Sequence, residues 1–251
     1  MLEINSVNQG DCLELMKQIN DNSIDMILCD LPYGTTACKW DTIIPFDLLW
    51  EQYKRIIKDN GAIVLTASQP FTSKLIISNI KMFRYVWMWE KEKGTGFALS
   101  KKMPLKLYEE CCVFYKKLPL YNPPKEKLER PYYRKHTDNT KSLSNPMASK
   151  DYIGKTIYYE YKTPTNKLKY SRDNANNSVH PTQKPVALFE YLIKTYTNEG
   201  DLVLDNCAGS GTTGVACRNL NRNYILIEKE PKYIEIINKR LQKPIQTTIY
   251  L

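Results

Sequence analysis

Residues 201–228 run strand, glycine-rich turn, helix, strand, and that succession restricts the fold more than any other stretch of the chain. Asp201-Leu202-Val203-Leu204-Asp205 is an apolar run of strand length. Gly209-Ser210-Gly211-Thr212-Thr213-Gly214 then opens a helical stretch reaching Leu220, and Asn223–Ile227 is a second strand with Glu228 at its tip. Strands linked through a helix pair in parallel, because a tight hairpin joins only antiparallel neighbours. The unit therefore predicts an α/β fold built on a doubly wound, mostly parallel sheet with right-handed crossovers. Glycines at 209 and 211 let the backbone approach a ligand, and an acid at the strand tip suits ribose hydroxyls. A glycine string alone is a weak signal. Between two strands it predicts an adenosine site, without separating a dinucleotide from S-adenosylmethionine.

A second constellation lies far earlier. The apolar run Ile24-Asp25-Met26-Ile27-Leu28-Cys29 delivers Asp30-Leu31-Pro32-Tyr33 to a strand end. Pro32 fixes its own φ and biases Leu31 toward an extended conformation, so the carbonyls of this turn are held in place. A carboxylate and a neighbouring carbonyl both accept hydrogen bonds, which suits a planar exocyclic amine offering two N–H donors. Tyr33 supplies a flat surface on which a nucleobase can stack. In an open α/β sheet both strand ends face the same crevice, so the expectation is that Asp30 and Asp205 sit on adjacent strands.

The remaining elements fit alternation of strand and helix. Glu3–Val7 reads as a short strand, and Cys12, Leu15, Met16 and Ile19 form a stripe at helical spacing. Phe46–Lys58 reads as a helix with Leu49, Tyr53, Ile56 and Ile57 inward, Ala62–Ala67 as a buried strand, and Pro70–Ile80 as a helix opened by proline. Tyr85–Trp89 and Glu110–Tyr115 read as an antiparallel pair at the sheet edge. Gly34–Asp41 is expected to be a mobile loop. From Lys116 to Val179 periodicity fades, and order returns with helices at Val186–Thr197 and Glu230–Leu241.

Charge singles out the aperiodic stretch. Residues 116–178 hold 14 Lys/Arg against 6 Asp/Glu, nearly the whole of the formal +9, together with eight of the eighteen tyrosines. A localised basic, tyrosine-rich segment suits a surface that meets phosphates; its plainer reading is a solubilising loop. The seven cysteines form no CxxC pair and only two histidines occur, which argues against a metal site and for a reduced compartment. No run approaches bilayer length, and Met1–Asn5 lacks the blocks of a secretory leader, so a cytoplasmic protein is expected.

Taken in order, these pieces resemble the amino-methyltransferases that act on DNA bases, in the group whose Asp-Pro-Pro-Tyr-type tetrapeptide precedes the cofactor loop. Gly10-Asp11, Thr95-Gly96-Phe97, Lys102-Met103-Pro104-Leu105 and His180-Pro181-Thr182-Gln183-Lys184-Pro185 also fit, and the likeness covers the chain outside roughly residues 118–178. The resemblance implies a seven-stranded Rossmann-like sheet with one antiparallel strand. It divides the chain into a catalytic half (1–117), a basic target-recognition insert (118–178) and a cofactor half (179–251). S-adenosylmethionine is the implied cofactor and double-stranded DNA the implied partner. The implied reaction is methyl transfer to the N6 amine of adenine after base flipping. Asp as first residue of the tetrapeptide favours adenine, since N4-cytosine enzymes of this kind more often carry Ser.

The resemblance assigns catalysis to Asp30, Leu31, Pro32 and Tyr33. It places Asp11 at the cofactor adenine, Lys184 near the methionine carboxylate and Asp205 at its ammonium. Asn206, Cys207, Gly209 and Gly211 lie along the cofactor, with Glu228 on the ribose. Trp40, Lys125, Lys127, Arg130, Arg134 and Lys135 are the expected DNA contacts. A homodimer and a cognate restriction endonuclease are partners such enzymes admit. Two departures stand out: Leu31 replaces the usual Pro, and Asn206-Cys207 replaces Pro-Phe, which removes an aromatic contact to the cofactor adenine.

Other readings remain open. Asp11 also suits a cap for the helix starting at Cys12, and Thr212 and Thr213 suit unpaired donors at a helix start. An N4-cytosine enzyme, an RNA methyltransferase, or one acting on a protein glutamine amide would all meet planar amines. A dehydrogenase using the glycine loop leaves Asp30–Tyr33 without a role, and a DNA-binding module without catalysis needs neither site.

Overall fold

A computed structural model describes residues 1–36, 38, 41–135, 154–171 and 183–244. Its strands are β1 (Ser6–Gln9), β2 (Ile24–Cys29), β3 (Ile57–Ala67), β4 (Phe83–Thr95), β5 (Lys106–Phe114), β6 (Lys127–Lys135), β7 (Thr156–Tyr161), β8 (Lys167–Lys169), β9 (Leu202–Asp205) and β10 (Asn223–Glu228). The helices are α1 (Cys12–Met16), α2 (Phe46–Ile56), α3 (Phe71–Ser78), α4 (Val186–Tyr196), α5 (Thr212–Asn219) and α6 (Pro231–Gln242).

The near-continuous apolar runs of β2, β3, β9 and β10 have the composition of strands covered on both faces. Side chains alternate accordingly. Ile27, Cys29, Ile63 and Leu65 point to one face, where they meet Leu49 and Tyr53 of α2 and Leu75 of α3. Met26, Leu28, Ala62 and Val64 point to the other, against Leu188 and Leu192 of α4, Ala216 of α5 and Ile237 of α6. The helices start where the sequence permits: Pro45, Pro70 and Pro185 immediately precede α2, α3 and α4, and Pro231 occupies the first turn of α6.

Strand order is β1-β10-β9-β2-β3-β5-β4-β8, and only β5 runs against its neighbours. The sheet thus has eight strands among the described residues, not seven. The additional strand is β8, which pairs in parallel with β4 through Met88↔Lys167, Trp89↔Leu168 and Glu90↔Lys169. Leu168 is buried there and the Trp89 Nε1–H donates to the Tyr170 carbonyl at 2.8 Å. The β4–β5 pair is therefore antiparallel as expected but does not form the edge. As the strand-end argument requires, β2 and β9 are direct neighbours, paired at Met26↔Val203 and Ile27↔Leu204.

Two compact units divide the chain. Met1–Pro123 with Asn166–Leu251 carries the large sheet, and Pro124–Thr165 is a second unit. Where the sequence shows no period, that unit contains an antiparallel hairpin, β6 with β7. Tyr132 stacks on Tyr159 across it at 5.3 Å, and Tyr133 faces Tyr158 at 4.8 Å. No described helix is long and apolar enough to cross a membrane.

Candidate active site

Parallel strands end together, and the ends of β2, β9 and β10 open onto one cleft of about 430 Å³. Its walls include Asp30–Tyr33, Asp205–Ser210 and Glu228, with Asp11 at one side and Lys184 and Glu109 at another. The early acidic turn and the late glycine loop thus share a single crevice.

At the turn, three side chains hold the Asp30 carboxylate. Oδ1 accepts from the Tyr33 hydroxyl at 2.8 Å and from the Thr66 hydroxyl, and Oδ2 accepts from Lys184 Nζ at 2.6 Å. The Tyr33 ring stacks on Phe71 at 5.0 Å, and burial pushes its hydroxyl pKa well up. Leu31 is 4% exposed, sunk into the same cluster as Phe71. Asp41 accepts from the backbone N–H groups of Gly34, Thr35 and Thr36 at 2.7–2.9 Å, so this part of the expected mobile loop is tied down. Burial opposes ionisation of Asp41, yet the Thr36 hydroxyl and these backbone bonds hold it below the usual carboxylate range.

Lys184 is 6% exposed. Besides Asp30 it meets Glu109 Oε2 at 3.4 Å, and Glu109 Oε1 in turn meets Lys91 Nζ at 3.0 Å. Burial alone would lower the Lys184 pKa; Asp30 and Glu109 together hold it above the usual ammonium value.

The glycine loop is held from below and from the side. Asp205 is 2% exposed; its carboxylate accepts from the Cys207 N–H at 3.1 Å and the Thr213 hydroxyl at 2.5 Å, and burial pushes its pKa to about 7. Both oxygens of Glu228 accept backbone N–H groups, from Gly209 at 2.7 Å and Glu230 at 2.8 Å, while burial raises its pKa. Asn206 Oδ1 accepts from the Tyr53 hydroxyl at 2.6 Å. Gly209 and Gly211 both have left-handed φ, 52° and 79°. A Cβ at Gly211 would come within 2.9 Å of Ile237. Arg240 of α6 clamps the loop, donating to the Ser210 carbonyl at 2.7 Å. Thr212 and Thr213 serve other partners than helix-start donors: Thr213 bonds Asp205, and Thr212 donates to the Lys184 carbonyl at 3.4 Å. Asp11 does cap α1, accepting from the Leu13 N–H at 2.9 Å.

Lys125, Lys127, Arg130, Arg134 and Lys135 belong to the second unit, where Lys127 pairs with Glu160 at 3.5 Å and Lys125 lies over the Tyr161 ring. Trp40 lies outside the described residues. Thr66, Lys91, Glu109 and Arg240 carry no local motif, and only strand pairing and helix packing bring them to the site.

A strand-tip acidic turn facing a glycine loop across one cleft is the arrangement of a Rossmann-like transferase. The family model described as DNA methylase, covering N6 and N4 amino-methyltransferases, matches residues 24–239, and the chain belongs to that family. It is 29% identical over 250 residues to the type II methyltransferase M.HpaI of Haemophilus parainfluenzae, covering 92% of this chain and 72% of that one. It is 26% identical to M1.MboII of Moraxella bovis, covering 95% and 96%. Among solved structures, the M1.HpyAVI–SAM complex superposes with a TM-score of 0.65 at 25% identity, covering 95% and 99%. The cytosine-N4-specific PvuII DNA methyltransferase shares the fold, with a TM-score of 0.69 at 18% identity, covering 95% and 86%.

Proposed function

We propose that this DNA methyltransferase transfers a methyl group from S-adenosylmethionine to the exocyclic N6 amine of adenine in double-stranded DNA, as the modification enzyme of a type II system with a cognate endonuclease. One observation carries the reading: the Asp30 carboxylate and the glycine loop after Asp205 line the same cleft.

The cleft suits the cofactor. Its volume lies within the roughly 300–1,000 Å³ common for small-molecule sites. Buried Asp205 faces it as an acceptor for an ammonium, and Glu228 keeps lone pairs beyond its two backbone bonds for hydroxyl donors. Asp11, Asn206, Cys207, Gly209 and Gly211 complete our assignment of cofactor contacts. When bound, S-adenosylmethionine supplies an electrophilic methyl on a sulfonium.

The chain's own residues prepare the acceptor. An adenine amine is a poor nucleophile because its lone pair is delocalised into the ring. A remaining lone-pair site on Asp30 and the Leu31 carbonyl accept its two hydrogens, drawing the nitrogen toward a pyramid and localising the pair. Acceptors fixed before reaction stabilise the positive charge that develops on nitrogen. Its proton then leaves to Asp30 or to water. Stacked duplex hides the amine from in-line attack, so the base is extruded. Stacking on Tyr33, whose other face is covered by Phe71, returns ~1–3 kcal/mol of that cost. Lys125, Lys127, Arg130, Arg134, Lys135 and Trp40 are proposed to meet the duplex.

The second reading is N4-cytosine methylation, favoured by the cytosine-N4-specific structure that shares this fold. Incubation with labelled S-adenosylmethionine and mixed-sequence duplex, followed by nucleoside analysis, separates the two. Label in N6-methyl-2′-deoxyadenosine supports our reading; label in N4-methyl-2′-deoxycytidine alone overturns it.

A further inference from the structure

We propose that Lys184 is a positioning residue for Asp30, held in that role by Glu109, and not a partner of the cofactor carboxylate. The inference rests on base-amine methylation by this site but not on which base is methylated.

Four charged groups alternate in sign from the catalytic turn inward: Asp30, Lys184, Glu109 and Lys91. Successive contacts measure 2.6, 3.4 and 3.0 Å. The two ammonium side chains are 6% and 2% exposed, and the Glu109 side chain 12%. A buried ammonium is costly unless paired and hydrogen-bonded, and removing one partner from such a pair leaves an uncompensated charge. Lys184 is therefore committed to two carboxylates of the chain itself.

What this does to Asp30 follows from the geometry. Tyr33 and Thr66 hold Oδ1, and Lys184 holds Oδ2. With both oxygens engaged, the carboxylate cannot turn about its own axis, so the lone pair offered to an incoming amine points in one direction. Lys184 also ties the acid to the glycine loop. Its carbonyl accepts from the Thr212 hydroxyl at the start of α5, while its side chain reaches the end of β2. One residue thus links the element beside the cofactor to the acid that aligns the acceptor. Glu109 is placed by β5, opposite Trp89 of β4, and Lys91 lies two residues further along β4. The sheet itself therefore fixes the far end of the chain of charges.

The test is Lys184→Met in the full-length protein, read two ways: the dissociation constant of S-adenosylmethionine by calorimetry, and the single-turnover rate of methyl transfer to duplex DNA at saturating cofactor. We expect the rate to fall ~100-fold, the scale of losing a hydrogen bond to a charged group, with the dissociation constant changed less than about threefold. Lys184→Arg, which keeps the charge, should recover about tenfold of that loss. Glu109→Gln, the second variant should Lys184→Met fail to fold, should slow transfer about threefold to tenfold with cofactor binding unchanged. A dissociation constant raised more than about tenfold, with the saturated rate near wild type, would overturn the proposal in favour of a cofactor contact. An unaltered rate in Glu109→Gln would remove Glu109 from it. Methyl is counted on any base, so label found on cytosine defeats the adenine assignment while leaving this inference standing.

Discussion

Asp205→Asn should remove a large pH-dependent contribution to stability that burial builds into the cleft. Asp205 is buried, and that burial lifts its pKa from the ordinary 3.8 to about 7, against the opposing bonds from Thr213 and Cys207. The folded carboxyl therefore keeps a proton that the unfolded chain has released near pH 4. Across that window the native state binds more protons than the unfolded state, so stability falls as pH rises from about 4 to about 7. Each pH unit in the window is worth ~1.36 kcal/mol, which makes the full loss ~4 kcal/mol by pH 8. Asn keeps the shape and one accepting oxygen but does not titrate. Urea unfolding of both proteins from pH 4.5 to pH 8 isolates Asp205, because every other titrating group cancels in the difference. The wild type should lose ~3–4 kcal/mol relative to the variant over this range. Parallel curves would refute the reasoning, since they would mean that Asp205 ionises in the normal range. Cofactor binding gives an independent check: an ammonium accepted by Asp205 favours the ionised form, so binding at pH 7 should release ~0.5 proton, measurable in buffers of different ionisation enthalpy.

Asp30→Ala should abolish methyl transfer while calorimetry still shows S-adenosylmethionine binding; retained turnover would remove Asp30 from its role. Neutralising Lys125, Arg130, Arg134 and Lys135 together should lower the slope of log affinity against log salt by ~0.9 for each phosphate that is no longer neutralised. An unchanged slope would return the hairpin to a solubilising role. Lys127, paired with Glu160, should contribute less. Tyr53→Phe strips the donor from buried Asn206 Oδ1 and should cost about 1–3 kcal/mol in urea unfolding. A change below about 0.5 kcal/mol would show that the loop does not depend on that bond.

What the sequence made legible was whatever carries its own local pattern. The strands β2, β9 and β10 are apolar runs that each end at an acid, Asp30, Asp205 and Glu228, and the glycine loop sits between two of them. Their mutual order followed from the chemistry the two motifs share. The three residues of β8 are too few to show a period, and Leu168 is buried only because Trp89 and its neighbours lie beneath it. The hairpin failed for another reason. Nearly every residue of β6 is exposed, so neither face carries the apolar alternation by which a strand is recognised. Thr66, Glu109 and Lys91 were invisible because their role is a matter of register. Thr66 reaches Asp30 from β3, paired in parallel with β2, and Glu109 arrives on the one antiparallel strand.

The two departures from the family pattern acquire a physical account in the packing. Pro32 alone holds the backbone before it extended, so the Leu31 carbonyl does not depend on a proline ring at position 31. Leu31 instead spends its side chain as an anchor in the core, beside Leu65 and Phe71. Phe71 is also the residue on which Tyr33 stacks, so one cluster holds both Leu31 and Tyr33 of the acidic turn. At the second departure Asn206 points inward to Tyr53 of α2, a bond an apolar residue could not make. The loop is thereby pinned from beneath by a hydrogen bond. Without an aromatic ring at 207, the apolar side chains bordering the cleft near α1 and α2 include Leu13, Ile43, Ile44 and Pro45. On our assignment of cofactor contacts, the adenine would meet these aliphatic side chains and Asp11. Aliphatic contact is less directional than ring stacking, so on that assignment the buried acids Asp205 and Glu228 would carry more of the cofactor's orientation.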